Sequence, residues 1–328
     1  MQLVRELSKP GQPLAKGAPT ATKNNPAWWV DGAPTPTRDR LHERLIEEVR
    51  NGAPGVRQQR RAIVLAGPPG AGKSEVRKKI LGAKDREYLS IDADEFKELL
   101  LREAQADGSY EQWIVPPRIR ELEAAGERFY PLELAALVHE ESSYLAKTLR
   151  RDAIGEGDNI VIDTVLSDAT DAVALGMQLS EAGYDISVID VEVPYEVSEQ
   201  RIRQRWEKKY AEALRGEGDD LGGRWVPSEY AREVFDGEGG QSKPATAARA
   251  LAEQCPAVRR YQVYWTTAEE AANAQAQGRL AQPRLEVDKT RSEPGAALVD
   301  TVPTGAHTQP ALQRIDTQRA TPQLGRDR

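Results

Sequence analysis

The chain has 328 residues, 30% charged and 39% hydrophobic, with a net charge of −7. This length suits one large α/β domain with polar ends, and the acidic balance speaks against a protein that coats nucleic acid. A single cysteine, Cys255, excludes an internal disulfide framework, and no apolar run approaches membrane-spanning length.

Residues 1–37 are rich in proline and glycine without a sustained period, so an irregular arm is expected. Adjacent indoles, Trp28 and Trp29, are expected to dock on the chain's own core. The opening MQLVRELSKPGQPLAKG lacks the apolar centre of a secretory signal, which points to a soluble, cytoplasmic protein. Residues 38–51 place Leu41, Leu45, Ile46 and Val49 at helical spacing and stop at Asn51-Gly52. Strand and helix patterns then alternate. Ala62–Ala66 is an apolar strand, 73–82 a helix, Tyr88–Ile91 a strand and 93–104 a helix. A long helix is predicted over 132–153, a strand at Ile160–Ile162 and a helix from Asp168 to about Glu181. Ile186–Val193 follows as a strand, 195–215 as a charged helix and 258–266 as a fifth strand. This order predicts a P-loop kinase-like three-layer α/β sandwich, its mostly parallel sheet of about five strands covered by helices on both faces. The domain is expected over 38–266. Residues 267–328 read as a polar, largely disordered tail, above all 290–328. There is no internal repeat.

The segment Gly67-Pro68-Pro69-Gly70-Ala71-Gly72-Lys73-Ser74 matches G-x-x-x-x-G-K-[ST] in full. AIVLA feeds into it and SEVRKKIL leaves it, the strand–loop–helix order that such a phosphate cradle requires. Glycines let the backbone wrap phosphates, and the helix N-terminus aims N–H groups at negative charge. Lys73 is expected to reach the β- and γ-phosphates of ATP, and Ser74 to ligate Mg2+.

Ligands of open α/β sheets sit beyond the carboxyl ends of the strands, and two acidic groups fall there. In SIDADEF, Asp92 with Glu95 has the spacing of a helix cap. Asp94 lies in the first helical turn, where it either complements the helix dipole or serves as a general base. In NIVIDTV, Asp163 ends the third strand, either as a turn residue or as a group facing magnesium or the acceptor. Asp168 and Asp171 read as helix-start residues. On the helix over 132–153, Glu141 shares a stripe with Leu134, Leu137, Leu145 and Leu149. It either reaches solvent at the stripe's edge or needs a partner or polar cavity. Phosphoryl transfer benefits from arginines near the γ-phosphate. Arg201, Arg203 and Arg205 on the charged helix, and Arg224 in GGRWVP, are candidates; the glycines before Arg224 suggest a lid.

Taken in order, GPPGAGKS, IDADEF, HEESSYLA, NIVID, AGYDISVIDVEVP and GRWVP resemble the zeta toxin family over roughly residues 60–235. The resemblance implies a P-loop kinase that phosphorylates a UDP-amino sugar such as UDP-N-acetylglucosamine. Carried over, Lys73 and Ser74 serve ATP and Mg2+, Asp94 is the base, Arg205 and Arg224 bind phosphates, and Asp163 grips the acceptor. Glu141, on the apolar stripe, is taken as a second acceptor-binding acid. Asp163-Thr164-Val165 departs from the family's acid-Gly-Thr. The resemblance also implies silencing by a small helical antitoxin. A kinase for another hydroxyl compound or nucleic-acid end, or a non-catalytic nucleotide switch, are the competing readings.

Overall fold

The computed structural model describes residues 1–218, 220–237 and 241–301. The last part of the expected disordered tail, 302–328, lies outside the described residues.

Residues 1–37 carry more local structure than their sequence suggests. Helix α1 (Gln2–Leu7), a 3-10 turn (Thr22–Asn24) and the short hairpin of β1 (Trp29–Val30) and β2 (Ala33–Pro34) precede α2 (Pro36–Asn51). Val4 and Leu7, one turn apart on α1, and Leu14, in the turns that follow, are each buried in the main core. A six-residue helix among proline and glycine turns is too short for a periodicity search to detect.

The central strand is β3 (Arg61–Ala66), buried on both faces from Ala62 onward, as its unbroken apolar run requires of a parallel strand. After the glycine loop come α3 (Lys73–Leu81), β4 (Leu89–Asp92) and α4 (Ala93–Asp107). A π-helical turn (Tyr110–Ile114) and α5 (Pro117–Ala124) follow. The expected helix over 132–153 is two pieces, a 3-10 segment (Pro131–Val138) and then α6 (His139–Glu156). The chain continues through β5 (Ile160–Asp163), α7 (Ala169–Glu181), β6 (Asp185–Glu192) and α8 (Tyr195–Leu214). It closes with α9 (Ser228–Glu233), α10 (Lys243–Gln254), β7 (Val258–Trp265), α11 (Ala268–Ala276), β8 (Arg284–Thr290) and β9 (Val299–Asp300).

The main sheet has the order β4-β5-β3-β6-β7-β8-β9, seven strands among the described residues rather than five. The five predicted strands are mutually parallel. β8 and β9 add an antiparallel edge built from residues expected to lie in the tail. Their sequence hid them because an edge strand need not be apolar: RLEVDKT is half exposed, and Arg260 of β7 grips Asp288 of β8 through two hydrogen bonds of 2.8 and 2.7 Å. Side chains of β3 alternate between two cores. Ala62, Val64 and Ala66 face the large one with α4, α6, α7 and α10; Ile63 and Leu65 face a smaller one with Val76 of α3 and Val197 of α8. Helices thus cover both faces. Because β5 and β6 flank β3, the chain leaves β3 at the reversal of strand order, where a crevice opens beyond the carboxyl ends.

One buried carboxylate joins the arm to this body. Glu141 of α6 is inaccessible to water and accepts hydrogen bonds from Arg38 at 2.6 and 2.8 Å, with His42 Nε2 at 2.7 Å. Burial pushes its carboxyl up, but the hydrogen bonds from His42 and Arg38 outweigh this and hold it at about 2. Trp28 and Trp29 dock around the cluster. The Arg38 guanidinium lies 4.1 Å from the centre of the Trp28 ring, and Trp29 packs on His42 and Tyr144 at 5.6 and 5.4 Å. Glu141→Gln preserves the shape but leaves the buried Arg38 without its counter-charge, and is expected to destabilise the fold by about 3–5 kcal/mol in urea unfolding. A loss under about 1 kcal/mol would show that the arm is held by the aromatic packing alone.

Candidate active site

The backbone of the glycine loop is placed by steric necessity. Gly67, Gly70 and Gly72 adopt φ of 138°, 75° and 102°. A side chain at Gly67 would collide with the Val191 carbonyl oxygen of β6, and one at Gly70 would lie 2.9 Å from the Ser198 carbonyl oxygen of α8. Only glycine satisfies both demands. Helix α8 also ties down the loop's carbonyls: Ser198 Oγ donates to Pro69 O at 2.6 Å, and Arg201 Nη1 donates to Gly70 O and Ala71 O at 3.1 Å. Arg201 therefore supports the cradle. Lys73, the first residue of α3, turns back to donate to Gly67 O at 3.0 Å, with Asp163 Oδ1 at 3.6 Å from Nζ. Ser74 is exposed at the cradle's mouth.

Sheet register brings the acids to the same edge. Asp92 at the end of β4 lies opposite Asp163 at the end of β5, and Asp163 is the partner of Leu65, two residues before Gly67. Asp92 caps α4, its Oδ1 accepting from Asp94 N at 2.8 Å. Asp94, one step into the helix, is paired with Arg224 and accepts from Lys97 Nζ at 2.9 Å. Burial pushes the Asp94 carboxyl up, but Arg224 and Lys97 together hold it well below the usual carboxylate range. Arg205 also lines the cleft and makes no hydrogen bond or ion pair among the described residues; surrounding protein thins its hydration, and this, with the Arg224 charge, lowers its guanidinium to about 10.

These groups line one cleft of roughly 2190 Å³. It collects Lys73, Ser74, Asp94, Asp163, Arg205 and Arg224. It does not collect Glu141, whose oxygens are committed to Arg38 and His42 beneath α2. The expectation that Glu141 grips an acceptor is corrected on that ground: its place on the apolar stripe reflects a buried ion pair. Arg203 points away, beside Met1 and Arg5 of the arm. Nor do the glycines before Arg224 make a free lid. A side chain at Gly222 would strike Tyr130, and one at Gly223 would lie 2.5 Å from the Trp206 carbonyl oxygen, so they serve close packing. Trp225 then anchors the loop, its Nε1 donating to Ser8 Oγ of the arm at 2.9 Å. Lys97 and His139 are cleft residues the sequence reading passed over. Lys97 was detectable as the cation one turn after Asp94. His139, pushed down to about 4 by burial and by Lys97, is neutral near pH 7.

Comparison with known proteins bears on the family and the fold. A family model described as Zeta toxin matches residues 46–270. The AvrRxo1-ORF1:AvrRxo1-ORF2 complex with sulphate ions is similar at 18% identity and a TM-score of 0.54, covering 82% of this chain and 71% of that one. The same complex with ATP is similar at 19% and 0.54, with the same coverage. A structure of the PezAT chromosomal toxin–antitoxin system of Streptococcus pneumoniae has 16% identity and a TM-score of 0.47, covering 72% of this chain and 78% of that one. At such identities the likeness to the two AvrRxo1 structures speaks to the fold alone. A search of curated proteins by sequence returns no match. Among the described residues, no helix is long and apolar enough to cross a membrane.

Asp92 offers a test of the site's electrostatics. Burial, then the charges of Asp94 and Asp163, push its carboxyl from 3.8 up to about 6. Between those values the folded chain holds a proton that the unfolded chain has released, so stability falls as pH rises through the window. Asp92→Asn retains a good cap and cannot ionise. It is expected to raise the unfolding free energy by about 1–2 kcal/mol near neutral pH, with no gain at about pH 4. Equal shifts in urea unfolding at both pH values would show that Asp92 ionises without strain.

Proposed function

The chain belongs to the zeta toxin family, and we propose that it is an ATP-dependent kinase whose acceptor is a hydroxyl of a UDP-amino sugar such as UDP-N-acetylglucosamine. The observation that carries this reading is the meeting of a complete P-loop, Asp94, Asp163, Arg205 and Arg224 in one cleft. The loop residues fit a nucleotide: the three left-handed glycines leave no Cβ at positions 67, 70 and 72, and the carbonyls of Pro69, Gly70 and Ala71 are held by α8. Gly67 to Ser74 would hold the phosphates, with Lys73 on the β- and γ-groups and the Ser74 hydroxyl on Mg2+. ATP with magnesium, when bound, supplies the γ-phosphoryl group and offsets its charge.

The rest falls to the chain's own side chains. Asp94 is the proposed base for the acceptor hydroxyl. Ion-paired to Arg224 and Lys97 it is too weakly basic, so Arg224 has to release it before a proton can move. Arg224 and the unpaired Arg205 are placed to stabilise transferring charge. Asp163, freed from Lys73, would hold the acceptor. One observation favours a second candidate base: Asp92, pushed up to about 6, is the more basic carboxylate of the pair. The proposal extends to a cytoplasmic setting, where ATP is available, and to a silencing partner, a small helical antitoxin. The AvrRxo1-ORF1:AvrRxo1-ORF2 structure, one chain of which is similar in fold, is itself a complex of two proteins.

Labelled γ-phosphate transfer from ATP to a panel of nucleotide sugars tests the reading. Lys73→Ala is expected to abolish transfer while remaining folded. Asp94→Asn is expected to lower it by about 10²- to 10⁴-fold with nucleotide affinity retained. If Asp92→Asn carries the loss, the base is Asp92. Undiminished transfer by Lys73→Ala would remove the loop from the chemistry, and indifference to both aspartates would favour a nucleotide switch.

A further inference from the structure

Helix α6 presents a second row of polar side chains to the cleft, distinct from its buried Glu141. His139, Ser143, Lys147 and Arg150 line it, at spacings of four, four and three that place them along one side of the helix. The near end of the row lies by the chemistry, since His139 feels the charges of Lys97 and Asp94. The far end carries two cations. Lys147 is exposed and Arg150 half-buried, and neither makes a hydrogen bond or ion pair among the described residues. Loss of hydration alone lowers the Arg150 guanidinium. Across the cleft, α7 contributes Asp171 and Gln178, neither of them bonded to either cation. Elsewhere in the cleft Lys73 engages Asp163, Lys97 and Arg224 engage Asp94, and Arg201 engages loop carbonyls. Arg205, also without a hydrogen bond or ion pair among the described residues, stands beside Arg224 at the chemistry rather than at this far end. A partly dehydrated guanidinium with no carboxylate, next to a free ammonium, is suited to an anion supplied from outside.

We infer that Lys147 and Arg150 form a phosphate-binding subsite for the far end of the acceptor. At 1.5 Å per residue, Lys147 lies about 12 Å and Arg150 about 16 Å along α6 from His139. An acceptor with its hydroxyl at Asp94 and an anion at this subsite is therefore longer than one sugar ring. It carries a phosphate or diphosphate at a distance from the reacting hydroxyl, as in a nucleoside diphosphate sugar. This rests on the kinase reading for the position of the hydroxyl; the subsite itself rests on the unpaired cations.

Calorimetric titration of the full chain, its P-loop saturated with magnesium and a non-hydrolysable ATP analogue, isolates the subsite. The probes are inorganic pyrophosphate, N-acetylglucosamine 1-phosphate, UDP-N-acetylglucosamine and uncharged N-acetylglucosamine. The Lys147→Ala/Arg150→Gln double variant is expected to bind the three phosphorylated probes about 10- to 100-fold more weakly, the equivalent of losing one charge-assisted contact. Its affinities for the ATP analogue and for the uncharged sugar should not change. Lys147→Glu, at an exposed position, should give the same pattern, and unfolding midpoints check that both variants fold. Comparing the sugar phosphate with the nucleotide sugar shows whether phosphate suffices or the nucleoside adds to binding. Absence of a second phosphate site in the wild type, or equal binding by the double variant, overturns the proposal. Pyrophosphate bound through these cations by a chain that transfers no phosphoryl group would keep the subsite and refute the kinase.

Discussion

A carboxylate shut away from water sets the terms for the first half of this molecule. Glu141 sits where its helix is otherwise leucine, and an isolated charge there would be prohibitive. Arg38 and His42, about a hundred residues earlier, meet that demand, and in doing so fix the angle of α2 against α6. The indoles of Trp28 and Trp29 pack on the same two side chains, so this end of the arm has a defined seat on the body. From that seat it runs along the cleft, where Pro10, Gly11 and Lys16 form part of the wall, and Ser8 reaches the Trp225 indole. A buried ion pair is a costly way to gain stability. Here it gives register, and the cleft inherits its outline.

Within the cleft, charges neutralise one another in pairs. Lys73 leans toward Asp163, and Arg224 and Lys97 share Asp94. These are interactions an anionic ligand would compete for, so the cations proposed to act on phosphates also screen the carboxylates proposed to act on the acceptor. Opposed shifts of neighbouring acids follow from that arrangement. Asp94, with two cations, is held low; Asp92, with two acids and a dry flank, is pushed up. Carboxylates two residues apart in β4 and α4 thus have different protonation behaviour, set by what faces them.

How much of this was legible in the sequence depends on which physical signal each feature leaves. β3 and β5 were readable because a strand buried on both faces is apolar throughout, and β7 because its side chains alternate with period two. The glycine loop was readable because its φ angles and close approaches admit few other residues. β8 and β9 left no such trace: an edge strand half in water tolerates RLEVDKT and draws its pairing from Arg260 and Asp288. The break before His139 was invisible because a 3-10 segment of buried leucines has nearly the period of the helix it precedes. Glu141 is the instructive case. Its pattern allowed either an edge in water or a buried partner, and the partners lie in a segment whose own pattern was unremarkable. Proximity between distant residues is the information a single sequence lacks.

The bonds that α8 sends into the glycine loop have a consequence for binding entropy. Ser198 and Arg201 hold the carbonyls of Pro69, Gly70 and Ala71 before any ligand arrives. Fixing a backbone residue costs about 1–2 kcal/mol, and a floppy loop would have to meet that cost out of its ligand's affinity. Here folding has already met part of it, so less of a ligand's affinity goes into ordering the loop.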